Sequence, residues 1–315
     1  MESPAVDSTA SGTPAGRQAL LSASPVRLAE LTRSGHQCTV SNHSETPPLI
    51  LVTNDDGITS PGLRAAALAA SALGEVLIVA PSEQRSGAAR SLPHHHTGSI
   101  VCCPLEVAGE RVAAYQVDGS PAATVQHALM EVVPRRPALV VSGINYGENL
   151  GADVSISGTV GAALEAAVNG LPALAASLQT PKAMHTQPSE AVDFTAAIHF
   201  ARLFGRLLLE DPLPFDVDVL CLNVPDTATP DTPWRLTRAS RHTYFVPLPP
   251  QRDKLVDPMQ IDYEAIHHPE QTEPDSDIYA LAVDRVVSVA PLSRDLASRV
   301  DRGVLEEVLR GPKWH

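Results

Sequence analysis

Two adjacent carboxylates end the first apolar segment of the sequence, and they are the side chains best placed to do chemistry. Asp55 and Asp56 follow the apolar run 49–53 and Asn54. Like charges held together repel each other and raise a pKa unless a cation neutralises them. Oxygen ligands suit a hard divalent ion such as Mg²⁺ or Mn²⁺ rather than zinc. An isolated Asp-Asp-Gly sequence is more typical of a turn, but its place after a buried strand favours a metal site.

A second feature with chemical potential is the sequence Ser157-Gly158-Thr159, which precedes an alanine-rich segment of helical character. The free amides and the dipole of a helix N-terminus bind anions, and hydroxyl groups add donors. The simpler alternative is an ordinary helix cap, which needs only one hydroxyl. Next to a metal ion, the same sequence predicts a phosphate site.

The predicted strands bring these groups together, because open α/β sheets bind ligands beyond the carboxyl ends of their strands. The polar residues that follow three predicted strands therefore meet along one rim. They are Asn54, Asp55 and Asp56 after strand 49–53; Ser82, Glu83, Arg85 and Ser86 after strand 75–80; and Asn145, Asn149, Ser157, Gly158 and Thr159 after strand 138–142.

The elements that position this rim alternate along the chain between short apolar runs and helical segments. This alternation predicts a doubly wound α/β domain with a mostly parallel sheet, assigned to residues 48–230. The predicted strands are 49–53, 75–80, 115–117, 138–142, 173–177 and 217–223, and the predicted helices are 63–73, 121–131, 159–169 and 189–209.

The two ends of the chain have a different character. Residues 1–47 are rich in Ser, Ala, Thr, Pro and Gly, which predicts a flexible extension. Residues 231–315 lose the alternating pattern and predict a β-rich excursion that serves as a lid or a subunit-exchange arm. Strand candidates in it are 234–238, 243–246 and 278–289, followed by a last helix at 296–309.

Composition limits the classes of partner. The chain has 315 residues, with 36 acidic and 23 basic side chains and a net charge of -13, which argues against a nucleic acid duplex as partner. An anionic substrate then needs a local source of positive charge, such as a metal ion, a helix N-terminus or a few arginines. We expect no membrane segment and no secretion signal. The four cysteines form no C-x-x-C pair, which predicts a reducing cytoplasm.

Several other motifs are weaker. The sequence contains no G-x-G-x-x-G, P-loop or G-x-S-x-G motif. Adjacent histidines in one loop cannot easily share an ion, so His94, His95 and His96 predict an exposed loop. Cys102 and Cys103 lie in an apolar strand candidate and predict core positions rather than reactive thiols.

Taken together, the motifs resemble the SurE family of stationary-phase survival proteins, which are metal-dependent 5'-nucleotidases. The matching stretches are ILVTNDDGITSPGL (50–63), VAPSEQRSGAARSL (79–92), VSGINYGENLG (141–151) and SISGTVGAALEA (155–166). The later ALAVDRVVSVAPL (280–292) is similar to the family's C-terminal strand. The excursion at 240–278 matches the family poorly.

The resemblance implies a Rossmann-like domain, a swapped C-terminal arm, a homodimer or homotetramer, and one divalent ion per subunit, Mg²⁺ or Mn²⁺. By position, it implies the metal ligands Asp55, Asp56, Ser86 and Asn145. It implies a phosphate site of Asn54, Gly143, Asn145, Asn149, Ser157, Gly158 and Thr159. The chain departs from the family at Ala123 and Thr124, where the family has Asp and Cys, and Glu148 adds negative charge to the phosphate loop.

The resulting hypothesis is hydrolysis of nucleoside monophosphates to nucleoside and phosphate, with catalytic roles for Asp55, Asp56, Asn149, Ser157 and Thr159. A haloacid-dehalogenase-type phosphatase fits worse, because its D-x-D motif is missing and Gly57 stands two residues after Asp55. A non-catalytic nucleotide or phosphate binder stays open because of Ala123. A structural α/β protein with an interaction arm would explain the excursion but not the polar strand ends.

Overall fold

The computed structural model describes residues 46–186, 189–211 and 213–311. The predicted flexible extension at 1–47 therefore lies outside the described residues except for its last two positions. The strands are β1 (Leu49–Thr53), β2 (Glu75–Pro81), β3 (Ile100–Cys102), β4 (Leu105–Val107), β5 (Glu110–Val112), β6 (Ala114–Val117), β7 (Leu139–Tyr146), β8 (Ala173–Leu178), β9 (Val219–Val224), β10 (Trp234–Leu236), β11 (Phe245–Leu248), β12 (Asp262–Ala265) and β13 (Val287–Leu292). The helices are α1 (Pro61–Ser71), α2 (Pro121–His127), α3 (Gly158–Val168), α4 (Thr195–Glu210) and α5 (Arg302–Arg310).

Nine strands form the main sheet in the order β10-β13-β9-β8-β7-β1-β2-β6-β3. The pairs from β9 through β6 are parallel, whereas β13 is antiparallel to β9 and β3 is antiparallel to β6. The chain leaves β1 toward β2 and β6, and then returns to the other side of β1 as β7. This reversal makes the carboxyl ends of β1 and β7 the switch point of the sheet, where α/β folds bind ligands.

Alternation along β1 divides the core between the two faces of the sheet. Ile50 and Val52 belong to the apolar cluster that contains α1 and α4, whereas Leu49 and Leu51 belong to the cluster with α2 and α3. All five residues of β1 are buried, as expected of a central parallel strand covered by helices on both faces. The predicted doubly wound, mostly parallel α/β fold is therefore confirmed.

The structure corrects three element boundaries. The helix predicted from 189 begins at Thr195, where the carboxylate of Asp193 accepts the Thr195 amide at 2.8 Å. The strand predicted over 278–289 begins only at Val287, because residues 279–283 form a helical turn capped by Ser276, whose Oγ accepts the Tyr279 amide. The last helix begins at Arg302 rather than 296, behind a side-chain cap from Asp301.

The prediction of a core position is wrong for Cys102, which is exposed because β3 is the outermost strand of the main sheet. Cys103 is partly buried and packs against the apolar cluster that contains α1 and α4. His94 and His95 are exposed in an irregular loop, as predicted, whereas His96 is partly buried next to Asp118.

The excursion contributes both to the main sheet and to a separate hairpin. Strands β10 and β13 extend the sheet beyond β9. Strands β11 and β12 form an antiparallel two-stranded hairpin, with Phe245 opposite Ala265. Among the described residues, no helix combines the length and apolar character that crossing a bilayer demands.

Candidate active site

The two adjacent carboxylates lie at the carboxyl end of β1, next to the switch point. Asp55 is 4% exposed and Asp56 is 6% exposed. The turn that carries them is fixed by Asn54, whose Nδ2 donates to the Gly57 carbonyl at 3.0 Å. Gly57 has φ +92°, and a Cβ there would lie 3.0 Å from the carbonyl carbon of Glu83. The loop after β1 therefore packs tightly against the loop after β2.

Asp55 is in direct contact with the start of α3. Thr159 Oγ1 donates to Asp55 Oδ1 at 2.5 Å. A Cβ at Gly158 would lie 2.7 Å from Asp55 Oδ2, so only glycine allows the helix to approach this closely. Ser157 is the N-cap, because its Oγ accepts the Val160 amide at 3.1 Å. The capping alternative is thus correct for Ser157, and the capped end of α3 also faces a carboxylate.

Asp56 is held from two sides. Its Oδ2 accepts the Tyr146 amide at 3.3 Å, and its Oδ1 accepts from Gln84 Nε2 at 3.2 Å. The same Gln84 nitrogen contacts Ser86 Oγ at 3.0 Å and the His185 carbonyl at 2.6 Å. Gln84 was not singled out in the sequence, yet it connects the strand ends of β1 and β2 with the loop after β8.

Burial raises the pKa of both Asp55 and Asp56, and the charge of Asp55 raises the pKa of Asp56 further. Among the described residues, no cationic side chain offsets this rise in pKa. Arg85 pairs with Glu83 and Asp118 instead, and the described residues that line the adjoining cleft include neither Lys nor Arg. The site therefore leaves room for a cation as the partner of the two carboxylates.

The donor set fits a hard divalent ion. The described residues contain no group of three or more His, Cys, Asp or Glu side chains arranged to hold a metal. The candidates are instead two carboxylates, the Ser86 hydroxyl and the Asn145 amide, which are all oxygen donors. Asn145 Nδ2 donates to the carbonyls of Tyr146 and Gly147, so its Oδ1 is the atom that can bind a cation.

Asn149 is fixed by the buried ends of β8 and β9. Its Nδ2 donates to Ser177 Oγ at 2.8 Å, and its backbone amide donates to Asn223 Oδ1 at 2.8 Å. Asn223 Nδ2 in turn donates to the Asn149 carbonyl at 3.0 Å. Neither supporting residue was among the predicted site residues, although each lies at the end of a predicted strand.

A cleft of about 650 Å³ opens over these groups. Five of the predicted site residues line it: Asp55, Ser86, Asn145, Asn149 and Ser157. The others lie behind its surface: Asn54, Asp56, Gly143, Gly158 and Thr159. Gly143 is part of a bulge in β7, where its φ is +125° and a Cβ would lie 2.2 Å from the Ala176 carbonyl oxygen.

His185 is a cleft residue that the sequence analysis did not single out. Its Nδ1 lies 2.8 Å from the Tyr263 hydroxyl and its Nε2 lies 3.2 Å from the Thr180 carbonyl, which fits a neutral ring protonated on Nε2. Burial lowers the pKa of His185. Gly147 has φ +100°, and a Cβ there would lie 2.7 Å from His185 Nε2. The strand-end rule, extended to β8, would have pointed to this loop.

A family model described as "Survival protein SurE" matches residues 50–245. The chain belongs to the SurE family. The 5'-nucleotidase SurE of Thermococcus kodakarensis is 42% identical over 262 residues, which cover 82% of this chain and 98% of that protein. The 5'-nucleotidase SurE of Archaeoglobus fulgidus is 41% identical over 268 residues, covering 84% and 98%. The crystal structure of the SurE protein from Aquifex aeolicus superposes with a TM-score of 0.64 at 26% identity, covering 84% of this chain and 100% of that one.

The departure of this SurE-family chain from the motif lies outside the cleft lining. Ala123 is in the first turn of α2, where its amide donates to Ser120 Oγ at 3.2 Å. Thr124 is fully buried, and its Oγ1 has no hydrogen-bond partner among the described residues. Both replacements therefore act on the packing of α2 rather than on the surface that faces a ligand.

Proposed function

We propose that this SurE-family protein is a metal-dependent phosphomonoesterase that hydrolyses nucleoside monophosphates to nucleoside and phosphate. The observation that carries the proposal is the buried Asp55–Asp56 pair at the switch point. Asp55 contacts the N-terminus of α3 and lines a cleft whose described lining has no Lys or Arg. The relatives named 5'-nucleotidase SurE support the choice of substrate.

We assign the metal ligands to Asp55, Asp56, Ser86 and Asn145, with one Mg²⁺ or Mn²⁺ per subunit. When bound, such an ion supplies a Lewis acid for a phosphoryl oxygen and lowers the pKa of a coordinated water. The two carboxylates neutralise the ion's charge, and Gln84 and Tyr146 keep Asp56 in position.

The chain's own groups hold the phosphoryl oxygens. Ser157 and Asn149 line the cleft and supply the polar side chains, and the start of α3 adds the positive end of the helix dipole behind them. Thr159 orients Asp55 through its hydroxyl. Gly158 lets the helix start approach the carboxylate, and Asn54 and Gly143 shape the backbone of the phosphate site.

The decisive experiment measures phosphate release from a panel of nucleoside monophosphates after chelation and after Mg²⁺, Mn²⁺ or Zn²⁺ is added back. Activity should return with Mg²⁺ or Mn²⁺. Asp56→Asn should lower kcat/KM by at least about 100-fold, since it removes a charged ligand of the ion. Asp231→Asn, a change at an exposed site outside the cleft, is the matched control and should have no effect.

The alternative function is non-catalytic nucleotide binding. Nucleotide binding without phosphate release under any metal condition, in a folded protein, would favour that alternative. Full activity of the chelated wild type would contradict the metal-dependent proposal.

We also propose a homodimer or homotetramer with an exchanged C-terminal arm, a cytoplasmic location and no nucleic acid duplex as partner. The exposed apolar side chains of α5 support the assembly. The three cysteines in the described part of the chain are free thiols, which fits a reducing compartment. The net charge of -13 argues against a nucleic acid partner.

A further inference from the structure

One wall of the cleft is aromatic and is built by the excursion together with the loop after β8. Phe245 and Tyr263 come from β11 and β12, and His185 comes from the loop after β8; all three line the cleft. The ring centroids of Phe245 and Tyr263 lie 5.3 Å apart, and those of Phe245 and His185 lie 5.8 Å apart. These three residues are called the aromatic wall below.

The rings of Tyr263 and His185 form one broad surface. Their planes differ by only 14°, and the 2.8 Å contact between the Tyr263 hydroxyl and His185 Nδ1 joins them at their edges. Lys182, which does not line the cleft, lies with Nζ 4.8 Å from the Tyr263 ring centroid. Lys182 therefore stabilises the Tyr263 ring through a cation–π contact from outside the cleft.

The aromatic wall is held in place from both sides. Asp153, in the turn that leads to the phosphate site, accepts the backbone amides of Tyr244 and Phe245 at 2.9 and 2.8 Å. On the other side, Lys182 Nζ donates to the Tyr263 carbonyl at 2.6 Å. A ligand that stacks on this wall meets a pre-organised surface and loses little free energy to ordering it.

Exposed aliphatic side chains extend the apolar surface next to the phosphate site. Ile156, which directly precedes Ser157, is 58% exposed, and Ile261 in the excursion is 64% exposed; both line the cleft. A site for phosphate alone does not require exposed apolar groups at this position. They fit a substrate whose leaving group is flat and apolar on its faces.

We propose that the aromatic wall is the nucleobase subsite, on which the base of the substrate stacks while its phosphate lies at the start of α3. The base-binding wall rests on the proposed function, because it requires a nucleotide substrate. Tyr263 lies beyond the stretch 50–245 that the family model matches. Phe245 and His185 lie within that stretch, so Tyr263 is the ring that the excursion adds beyond it.

The test compares adenosine 5'-monophosphate with ribose 5-phosphate, which has the same phosphate and sugar but no base. Phe245→Leu and Tyr263→Leu should raise KM for the nucleotide by roughly 5- to 150-fold, the range that follows from the loss of one base–aromatic stack. KM for ribose 5-phosphate should not change. Tyr263→Phe keeps the ring and loses only the hydroxyl contact, so it should retain most of the wild-type preference.

Parallel changes of KM for both compounds, or no change for the nucleotide, would overturn the assignment. If neither compound releases phosphate, the proposed function fails, and the wall is then tested by the dissociation constants of the same two compounds. The nucleotide should bind more tightly than ribose 5-phosphate to the wild type, and this preference should vanish in Phe245→Leu and Tyr263→Leu.

Discussion

At the scale of single residues, the site depends on what surrounds a carboxylate more than on where it stands in the sequence. Asp55 and Asp153 both have carboxylates that accept hydrogen bonds, but Asp55 faces a hydroxyl and a helix start whereas Asp153 accepts two backbone amides. The first arrangement leaves charge available to a cation, and the second uses the charge to fix a loop.

Gly158 is the residue where the absence of a side chain matters most. We expect Gly158→Ala to push α3 away from Asp55, because the new Cβ would lie 2.7 Å from the carboxylate oxygen. A displacement of this size should lower kcat/KM by roughly 100-fold. Metal affinity, measured by calorimetry, should fall as well. Gly303→Ala in the exposed helix α5 is the control and should leave both unchanged; equal activity of the two variants would contradict the close approach.

Glu148 predicts a pH dependence of stability. It is 5% exposed, burial raises its pKa, and its Oε2 has no hydrogen-bond partner among the described residues. A carboxyl with a raised pKa in the folded state makes the fold less stable as the pH rises from the unfolded pKa through the folded one. Glu148→Gln removes this penalty, so its melting temperature should exceed that of the wild type at pH 8.

The difference between the two melting temperatures should shrink as the pH is lowered through the raised pKa of Glu148, because the wild-type carboxyl then takes up a proton. Other titrating groups are common to both proteins and cancel in the comparison. Exposed Glu264→Gln provides the control and should show no pH-dependent difference. A variant less stable than the wild type at pH 8 would contradict the assignment of a buried, poorly compensated charge.

At the scale of elements, hydrogen bonds to carboxylates join the excursion to the turn before α3. Asp277 is fully buried and accepts the amides of Gly151, Ser240 and Ile278 at 2.8 to 2.9 Å. Together with Asp153, it joins the turn before α3 to the start of the excursion. The excursion is therefore anchored at the phosphate site by two carboxylates, Asp277 from the excursion and Asp153 from the turn before α3.

Asp153→Ala should loosen the β11–β12 hairpin without unfolding the domain. Two amide hydrogen bonds to a charged acceptor are lost, which should lower the local opening free energy by roughly 3 kcal/mol. Hydrogen exchange of residues 244–248 should become faster while exchange in β1 and β7 stays slow. Asp257→Ala, which removes an exposed loop contact to the Lys254 amide, is the control. Unchanged exchange in the hairpin would show that Asp153 does not anchor it.

The sequence predicted the strand-end rim well because parallel strands bring their carboxyl ends to one edge whatever the loops do. Asp55, Ser86 and Asn149 meet at the cleft for this reason. Tyr263 could not be found in the same way, since its contact with His185 depends on how an irregular excursion folds back. The start predicted for the strand 278–289 was wrong. The Ser276 side chain caps a helical turn there, and the apolar pattern alone does not show this cap.

At the scale of the whole molecule, the helix α5 has no packing partner among the described residues of a single chain. All nine residues of α5 lack burial against the described residues, and an isolated helix of this length is only marginally stable in water. Its exposed apolar residues are Val304, Leu305, Val308 and Leu309. A second copy of the chain is the partner that the proposed homodimer or homotetramer provides.

Replacing Val308 and Leu309 together with Asp should therefore separate the assembly. The two charges would be buried in a subunit interface at a cost that the remaining apolar contacts cannot offset. Light scattering coupled to size-exclusion chromatography should give a smaller mass than the wild type, and the melting temperature should no longer depend on protein concentration. Glu307→Gln changes a charge on the same helix outside this apolar set and should keep the wild-type mass. Unless the double variant lowers the mass, α5 is not part of the interface, and the exchanged arm must use another segment of the excursion.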